Sequence, residues 1–408
     1  MNIKIKKLIG AVAAVQITAL SLAVYAAGIT IPRQDGDNHS AIANAIAGAA
    51  EGAVIELESG EYRISDQIVI DRGVTLKGAG MDKTFLRYDK TLAKSVRGSE
   101  YGRPLTINHK DAVVRGLTVT GGYSAYGYNS YASGVLIDSE GGLIEDCRIC
   151  QNEHRSYYGL GALGLTSPKA NARRCIINNN LAAWGHRSHG GVAVHGGHLD
   201  NCLVYSNSST SAAGLYVDMK DRFNAGDATI SNCTFVCNTA TDCGAGGHRV
   251  NAYPQGALGL DVVNCIFSDN QGHEVCASCK TAYSALVTDA NELDSLRQSA
   301  FKEEEVEGMI STQYKHCCIK RSGDEPAIGT FGINADPMFV DRESLDFHLY
   351  STRELRSPCV DAGLCGAWMK ADMDLDGNPR LKKFRGARSR VDIGCYESAY
   401  FANGLIIL

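Results

Sequence analysis

Three His-Arg pairs, His154-Arg155, His186-Arg187 and His248-Arg249, punctuate the middle of the chain. Near them stand Tyr126, Tyr128, Tyr157, Tyr158, Trp184, His189 and Tyr253. Aromatic rings stack on the apolar faces of sugars, arginine grips carboxylates or sulfates through paired hydrogen bonds, and histidine titrates near neutrality. Such a set suits an extended anionic sugar chain. β-Elimination on a uronate needs a group to neutralise the carboxylate, a base for the C5 proton and an acid for the leaving oxygen. His186, Arg187 and His189, with a tyrosine, are the candidates for catalysis. Tyr126, Tyr128, His154, Arg155, Tyr157, Tyr158, Trp184, His248, Arg249 and Tyr253 are the candidates for substrate binding. Hydrolysis would instead need two carboxylates at a defined separation, and these stretches offer only Glu153 and Asp242. For any single residue the plainer reading is that it covers a loop base and hydrogen-bonds backbone.

What positions these residues is a repeat. A Cys precedes an Asn by five residues in "CRICQN" (Cys147, Asn152), "CIINNN" (Cys175, Asn180), "CLVYSN" (Cys202, Asn207), "CTFVCN" (Cys233, Asn238) and "CIFSDN" (Cys265, Asn270). Two residues after each Cys stands a branched or aromatic apolar residue: Ile149, Ile177, Val204, Phe235 and Phe267. Successive Cys lie 28, 27, 31 and 32 residues apart. One β-like run leads into each Cys, and another follows a loop after the Asn: "GALGL" (161–165), "GVAVH" (191–195), "GLYV" (214–217) and "GALGL" (256–260). No helical period separates them, so coils stacked into a solenoid are expected rather than a βαβ sheet. Equivalent positions then repeat about 4.8 Å apart, with Cys as an inward stack and Asn as a corner ladder, each amide donating to one neighbour and accepting from the next. The loops leaving the Asn corner (121–133, 153–159, 181–190, 208–214 and 239–256) must share one side, and they hold the candidate residues. Loops on a rigid scaffold commonly carry function.

Both ends fit this reading. In "SAIANAIAGAAEGAVIELESGEYRISDQIVIDRGVTLKGAG", Ser40 can cap a short helix, after which "AVIEL", "YRIS", "QIVI" and "VTLKG" read as short strands. The stretch resembles the entry into the right-handed parallel β-helix of the pectin-lyase-like superfamily, and the likeness spans about 40–330. It implies an all-β chain, a right-handed parallel β-helix with an N-terminal helical cap, and leaves activity open. "NADPMFVD", "FHLYSTRELRSPCVDAG", "DLDGNPR" and "VDIGCYE" resemble the C-terminal module of secreted bacterial choice-of-anchor β-helix proteins. The expected division is a signal peptide at 1–26, a cap at 27–52, the β-helix at 53–330 and the C-terminal module at 331–408. A surface helix is expected over 288–308.

"DMDLDG" (Asp372, Asp374, Asp376, Gly377) begins like a calcium loop, yet Lys383 occupies the twelfth position, where a bidentate Glu is needed. A polar turn with Asp376 pairing Arg380 is the expectation. No metal ligand is assigned, and calcium is the one cofactor kept open. Lys4, Lys6 and Lys7, the apolar run from Leu8 to Val24 and small residues at 24–26 read as a secretory signal, with a retained membrane anchor as the alternative. Its removal takes the formal charge from −5 to −8, which argues against a nucleic-acid partner. Fifteen Cys in an exported chain suggest bridges, although five of them are core positions of the repeat. "CASC" (Cys276, Cys279) has no companion pair at zinc spacing. The expectation is a monomer, secreted, periplasmic or on a bacterial cell surface, that acts on or binds a polysaccharide or cell-surface glycan. A lyase and a non-catalytic adhesion protein both remain open, with hydrolase ranked below lyase.

Overall fold

The computed structural model describes residues 28–93, 101–124, 132–155, 158–183, 187–218, 227–241, 245–251, 259–271, 273–277, 314–321, 327–352, 354–381, 390–398, 401–402 and 405–406. They form an all-β chain, a right-handed parallel β-helix. The coil containing Cys147 shows the plan. A leading strand (Gly142–Glu145) turns into a three-residue strand (Arg148–Cys150), then a two-residue strand (Glu153–His154). After the loop, a return strand begins at Leu163 and runs through to Arg173, where it has become the next leading strand. Nine strands stack in parallel between the Cys and Asn corners, from Gly60–Ile64 to Cys318–Ile319. The two-residue strands form a six-membered ladder.

Each corner turns on one left-handed residue. Before the Cys these are Asp146, Arg174, Asn201, Asn232, Asn264 and His316, with φ between 48° and 54°. Before the Asn they are Gln151, Asn179, Ser206, Cys237 and Asp269. The coil before them uses Gly116 and Gly121, for which positive φ carries no steric cost. A side chain there costs about 1–2 kcal/mol. The next coil offsets it: the N–H of Asn201 bonds the Ser231 carbonyl at 3.1 Å, and that of Asn232 bonds the Val263 carbonyl at 2.9 Å.

Between the corners lies the core. Cys147, Cys175, Cys202, Cys233 and Cys265 have no exposure, and neither do Ile149, Ile177, Val204, Phe235 and Phe267. Phe235 and Phe267 stack with centroids 4.7 Å apart and planes within 4°. Cys317 joins the stack as a sixth member: the Cys265 N–H points at its sulfur, 3.5 Å away. The intervening segment of 52 positions hid it from the spacing argument. The Asn ladder is present as expected. Asn152, Asn180, Asn207 and Asn238 each donate from Nδ2 to the Oδ1 of the next Asn at 2.9–3.1 Å. The same amides also donate to carbonyls of the coil before, including Ile149 and Ile177. The twelve cysteines whose side chains are described are free thiols.

The N-terminal helix spans His39–Gly48 and buries Ile42 and Ile46. Its N-cap is Asn38 rather than Ser40; Asn38 is fully buried and its amide donates to the carbonyls of Gly36 and Gln34. Asp37 accepts from the His39 N–H and from Ser65, which pins the helix start two residues earlier than Ser40 would. The four short strands that follow lie where the sequence put them, at Val54–Leu57, Gly60–Ile64, Ile68–Ile70 and Thr75–Lys77. The expected helix at 288–308 lies outside the described residues. The return strand of the Cys233 coil is Ala245–Asn251, not the second "GALGL", whose Leu260 opens the next leading strand. "AGGHRVN" has no apolar period over its seven residues, which is why it reads as loop.

The C-terminal residues fold back over the outer face of the nine-stranded sheet. Phe339, Phe347, Leu349, Cys359, Ile393 and Cys395 form a second core with Leu203, Val236, Ile266 and Cys318. Those four are outward positions, polar or half-exposed in earlier coils and apolar here. At its centre Arg380 is fully buried, bonding the carbonyls of Gly394 and Asp392 and pairing with Glu397 at 3.2 Å. The expected Asp376–Arg380 pair is therefore absent. Asp376 reaches His348 instead, at 2.7 Å. The "DMDLDG" segment is a polar turn held by Asp374, which accepts the N–H groups of Asp376, Asn378 and Glu397.

Candidate functional site

The described loop-side residues divide into two sets. Tyr126, Tyr128, Tyr157, Trp184, His186 and Tyr253 lie outside the described residues. Tyr158 and Arg187 are register partners on two short parallel strands, Tyr158–Leu160 and Arg187–His189, inside segments that read as loops. His189 is buried, its ring stacked on Tyr216 at 3.5 Å, and His195 meets the same ring edge-on at 6.4 Å. His248 and Arg249 stand on a return strand, in register with Leu215 and Tyr216. So Tyr216 gathers His189, His195 and the backbone position of Arg249. Sequence reasoning passed over Tyr216 and His195, although "GLYV" gives Tyr216 the outward phase between buried Leu215 and Val217. His154 is buried in the short ladder, while Arg155 is exposed and paired with Glu153.

A second open feature lies elsewhere, on the outer face of the leading strands. A groove of about 840 Å³ crosses seven coils, from Val113 to Lys315, with Leu364, Cys365 and Gly366 of the C-terminal module along one side. Six coil spacings make it roughly 29 Å long. Two outward rows form its floor. One runs through Asn171, His198, Thr229 and Asp261, the other through Arg173, Asp200, Ser231 and Val263. Strand alternation puts both rows on one face, because positions two apart point the same way.

The middle strand carries the most chemistry. His198 is exposed and Asp200 half-buried, two positions apart, with Arg173 and Ser231 on either side of Asp200 in register. Asp200 accepts from Ser231 Oγ at 2.5 Å, Asn232 Nδ2 at 2.9 Å and Asn201 Nδ2 at 2.6 Å. Burial, helped by the nearby carboxylate of Asp372, pushes the Asp200 carboxyl up to about 7, against the pull of Ser231 and Asn232. Arg173 is half-exposed and paired with Glu145 at 2.7 Å; Lys315 pairs with Asp261 at 2.6 Å. The arrangement offers a cation, an imidazole and a carboxyl that titrates near neutrality. Sequence reasoning treated "NARRC", "GHLDNC" and "ATISNC" as structural runs leading into the Cys. Alternation in those runs was the available signal, since His198 and Asp200 flank buried Leu199. Among the described residues no cluster of three or more His, Cys, Asp or Glu could hold a metal ion.

No family model matches the chain, and no curated protein does. Among solved structures it is similar to ORF18 of Geobacillus virus E2, at 14% identity, over 66% of this chain and 64% of that one. The chain thus spans somewhat under two thirds of that protein, and the TM-score of 0.20 is too low to bear on function.

Proposed function

We propose that the protein is a secreted β-helix protein of the pectin-lyase-like class that binds a uronic-acid polysaccharide along the leading-strand groove and cleaves it by β-elimination. The observation that carries this reading is the meeting of Arg173, His198 and Asp200 on the middle coils of a groove long enough for several sugar units. In this reaction Arg173 neutralises the uronate carboxylate, which acidifies the C5 proton. His198 takes that proton, and Asp200, raised to about 7 and so partly protonated at neutral pH, gives one to the departing glycosidic oxygen. The C5–H and C4–O bonds break, a C4–C5 double bond forms, and no further reagent is needed. The C-terminal residues fit a choice-of-anchor-like module, and calcium fits the scheme only as an additional neutraliser of the uronate.

A non-catalytic adhesion protein is the second reading. It is favoured by the pairing of Arg173 with Glu145 and of Lys315 with Asp261, which leaves the groove close to neutral. Absorbance near 235 nm, followed with a panel of uronic-acid glycans with and without calcium, separates the two. A rise that disappears in His198→Ala and Asp200→Asn supports the lyase. Retention of a glycan without any rise moves the assignment to the binding protein. A rise that survives both substitutions would place the chemistry on the loop side, around His186, Arg187 and His189.

A further inference from the structure

We infer that the C-terminal module is a working part of the groove: Asp372, which it carries, is held beside Asp200 by the shared amide of Asn201 and is a positioning residue for the chemistry proposed above. The inference rests on that reading for its catalytic meaning and on geometry for its substance.

Asn201 is fully buried at the Cys corner, and its Nδ2 lies 2.6 Å from Asp200 Oδ2 and 2.9 Å from Asp372 Oδ2. One amide nitrogen has two hydrogens, so it can serve both carboxylates, and in doing so it holds them close together. The charge on Asp372 beside it disfavours a charge on Asp200. The surrounding cations form their hydrogen bonds with other groups, and of them Arg380 still draws the Asp200 carboxyl down through its charge. Arg173 and Arg174 bond Glu145, and Arg174 also bonds Asp146. Arg380 spends its guanidinium on Gly394, Asp392, Asn232 and Glu397. His198, on the same strand, faces the open groove. Retaining a proton relieves the repulsion, and it falls on Asp200, for which burial and Asp372 both disfavour the charge.

The module is also fixed where this contact requires it. Asn264 and Leu364 exchange two hydrogen bonds, Nδ2 to the Leu364 carbonyl at 3.1 Å and the Leu364 N–H to Oδ1 at 2.7 Å. Arg380 bonds Asn232 Oδ1 at 3.1 Å. Three successive corner asparagines, Asn201, Asn232 and Asn264, therefore receive the module. Groove wall and carboxylate partner arrive together.

The test uses the full-length protein with Asp372→Asn, which removes the charge and keeps an amide oxygen for Asn201. If a uronic-acid glycan is cleaved, the basic limb of the pH–rate profile should move down by about one unit, with the rate at pH 5 unchanged. Asp372→Glu should restore the limb, which a merely structural role would not produce. A limb that stays in place in Asp372→Asn overturns the inference. Urea unfolding between pH 4 and 8 reads the same proton without any substrate. Native stability should fall as pH rises from about 4 towards 7, because the folded chain holds a proton that the unfolded chain releases near 3.9. Asp372→Asn should lessen that fall and Asp200→Asn should remove it. Unchanged slopes sink the inference whatever the glycans do. Changed slopes with no cleavage of any glycan sustain the Asp372–Asp200 coupling and defeat the lyase reading.

Discussion

Asn207 Oδ1 receives two hydrogen bonds from Asn180, one from its backbone N–H at 3.1 Å and one from its Nδ2 at 2.9 Å. Both donors are buried, and the Nδ2 of Asn207 repeats the pattern towards Asn238 at 3.0 Å. A single side chain thus closes one corner and starts the next. Asn207→Ala leaves buried donors without that acceptor and should cost roughly 2–4 kcal/mol. Asn207→Asp keeps the acceptor but sets a carboxylate against Asn238 Oδ1 and should also destabilise. Urea unfolding followed by far-ultraviolet circular dichroism measures both; a loss within 0.5 kcal/mol, on the order expected of surface substitutions, would show the ladder to be dispensable.

The inward stack predicts a different kind of loss. Phe235 has no exposure and lies flat on Phe267, so truncation leaves a void that neighbouring coils cannot fill without breaking register. Phe235→Ala should cost about 3–5 kcal/mol, and Phe235→Leu clearly less. Equal losses for the two would show that ring stacking rather than volume governs the site.

His348 ties a strand of the C-terminal module to the Asp374 turn. Its Nδ1 lies 2.5 Å from Asp346 Oδ1, its Nε2 2.7 Å from Asp376 Oδ2, and its ring stacks on Tyr396 at 3.9 Å. The hydrogen bond to Asp376, and then that to Asp346, push its pKa up to about 9. The folded value exceeds the unfolded one, so the stabilisation is complete below about 6.5 and is lost as pH rises through 9. The wild-type melting temperature should drop more between pH 6 and pH 10 than that of His348→Gln. Parallel pH profiles would refute the clamp.

Thiol reactivity should separate groove from core. Cys365 is exposed on the groove side, although burial and the charges of Glu397 and Asp361 raise its pKa. Cys147 has no exposure and burial pushes its thiol up to about 12. Alkylation at pH 8.5 under native conditions, mapped by mass spectrometry, should modify Cys365 and leave Cys147, Cys175, Cys202, Cys233, Cys265 and Cys317 untouched until denaturant is added. A bulky maleimide at Cys365 should also weaken glycan retention. Native modification of the stacked cysteines would mean that the coils open readily.

The repeat was legible because stacking forces like onto like: Cys147 to Cys265 and Asn152 to Asn270 occur at intervals that only coils explain. Cys317 was not, since a long insertion breaks the interval while the register survives. The groove is not legible in the sequence for another reason. Its residues come from strands that also serve the core, so His198 and Asp200 were overshadowed by Leu199 between them. Asp372 lies 171 positions from Asn201, and no local pattern could join the two. The Tyr216 cluster shows the middle case, in which His189 and Arg249 were marked as candidates while the ring that gathers them was passed over.

Hydrogen bonds between coils run along the solenoid axis, so a pull on its two ends loads the coils in series, and the weakest should part first. The C-terminal module changes that order. By gripping Asn201, Asn232 and Asn264 from the side, it acts as a splint across three neighbouring turns, sharing load among contacts that would otherwise fail one at a time. Under tension the rod should fray elsewhere before it opens beside Asp200.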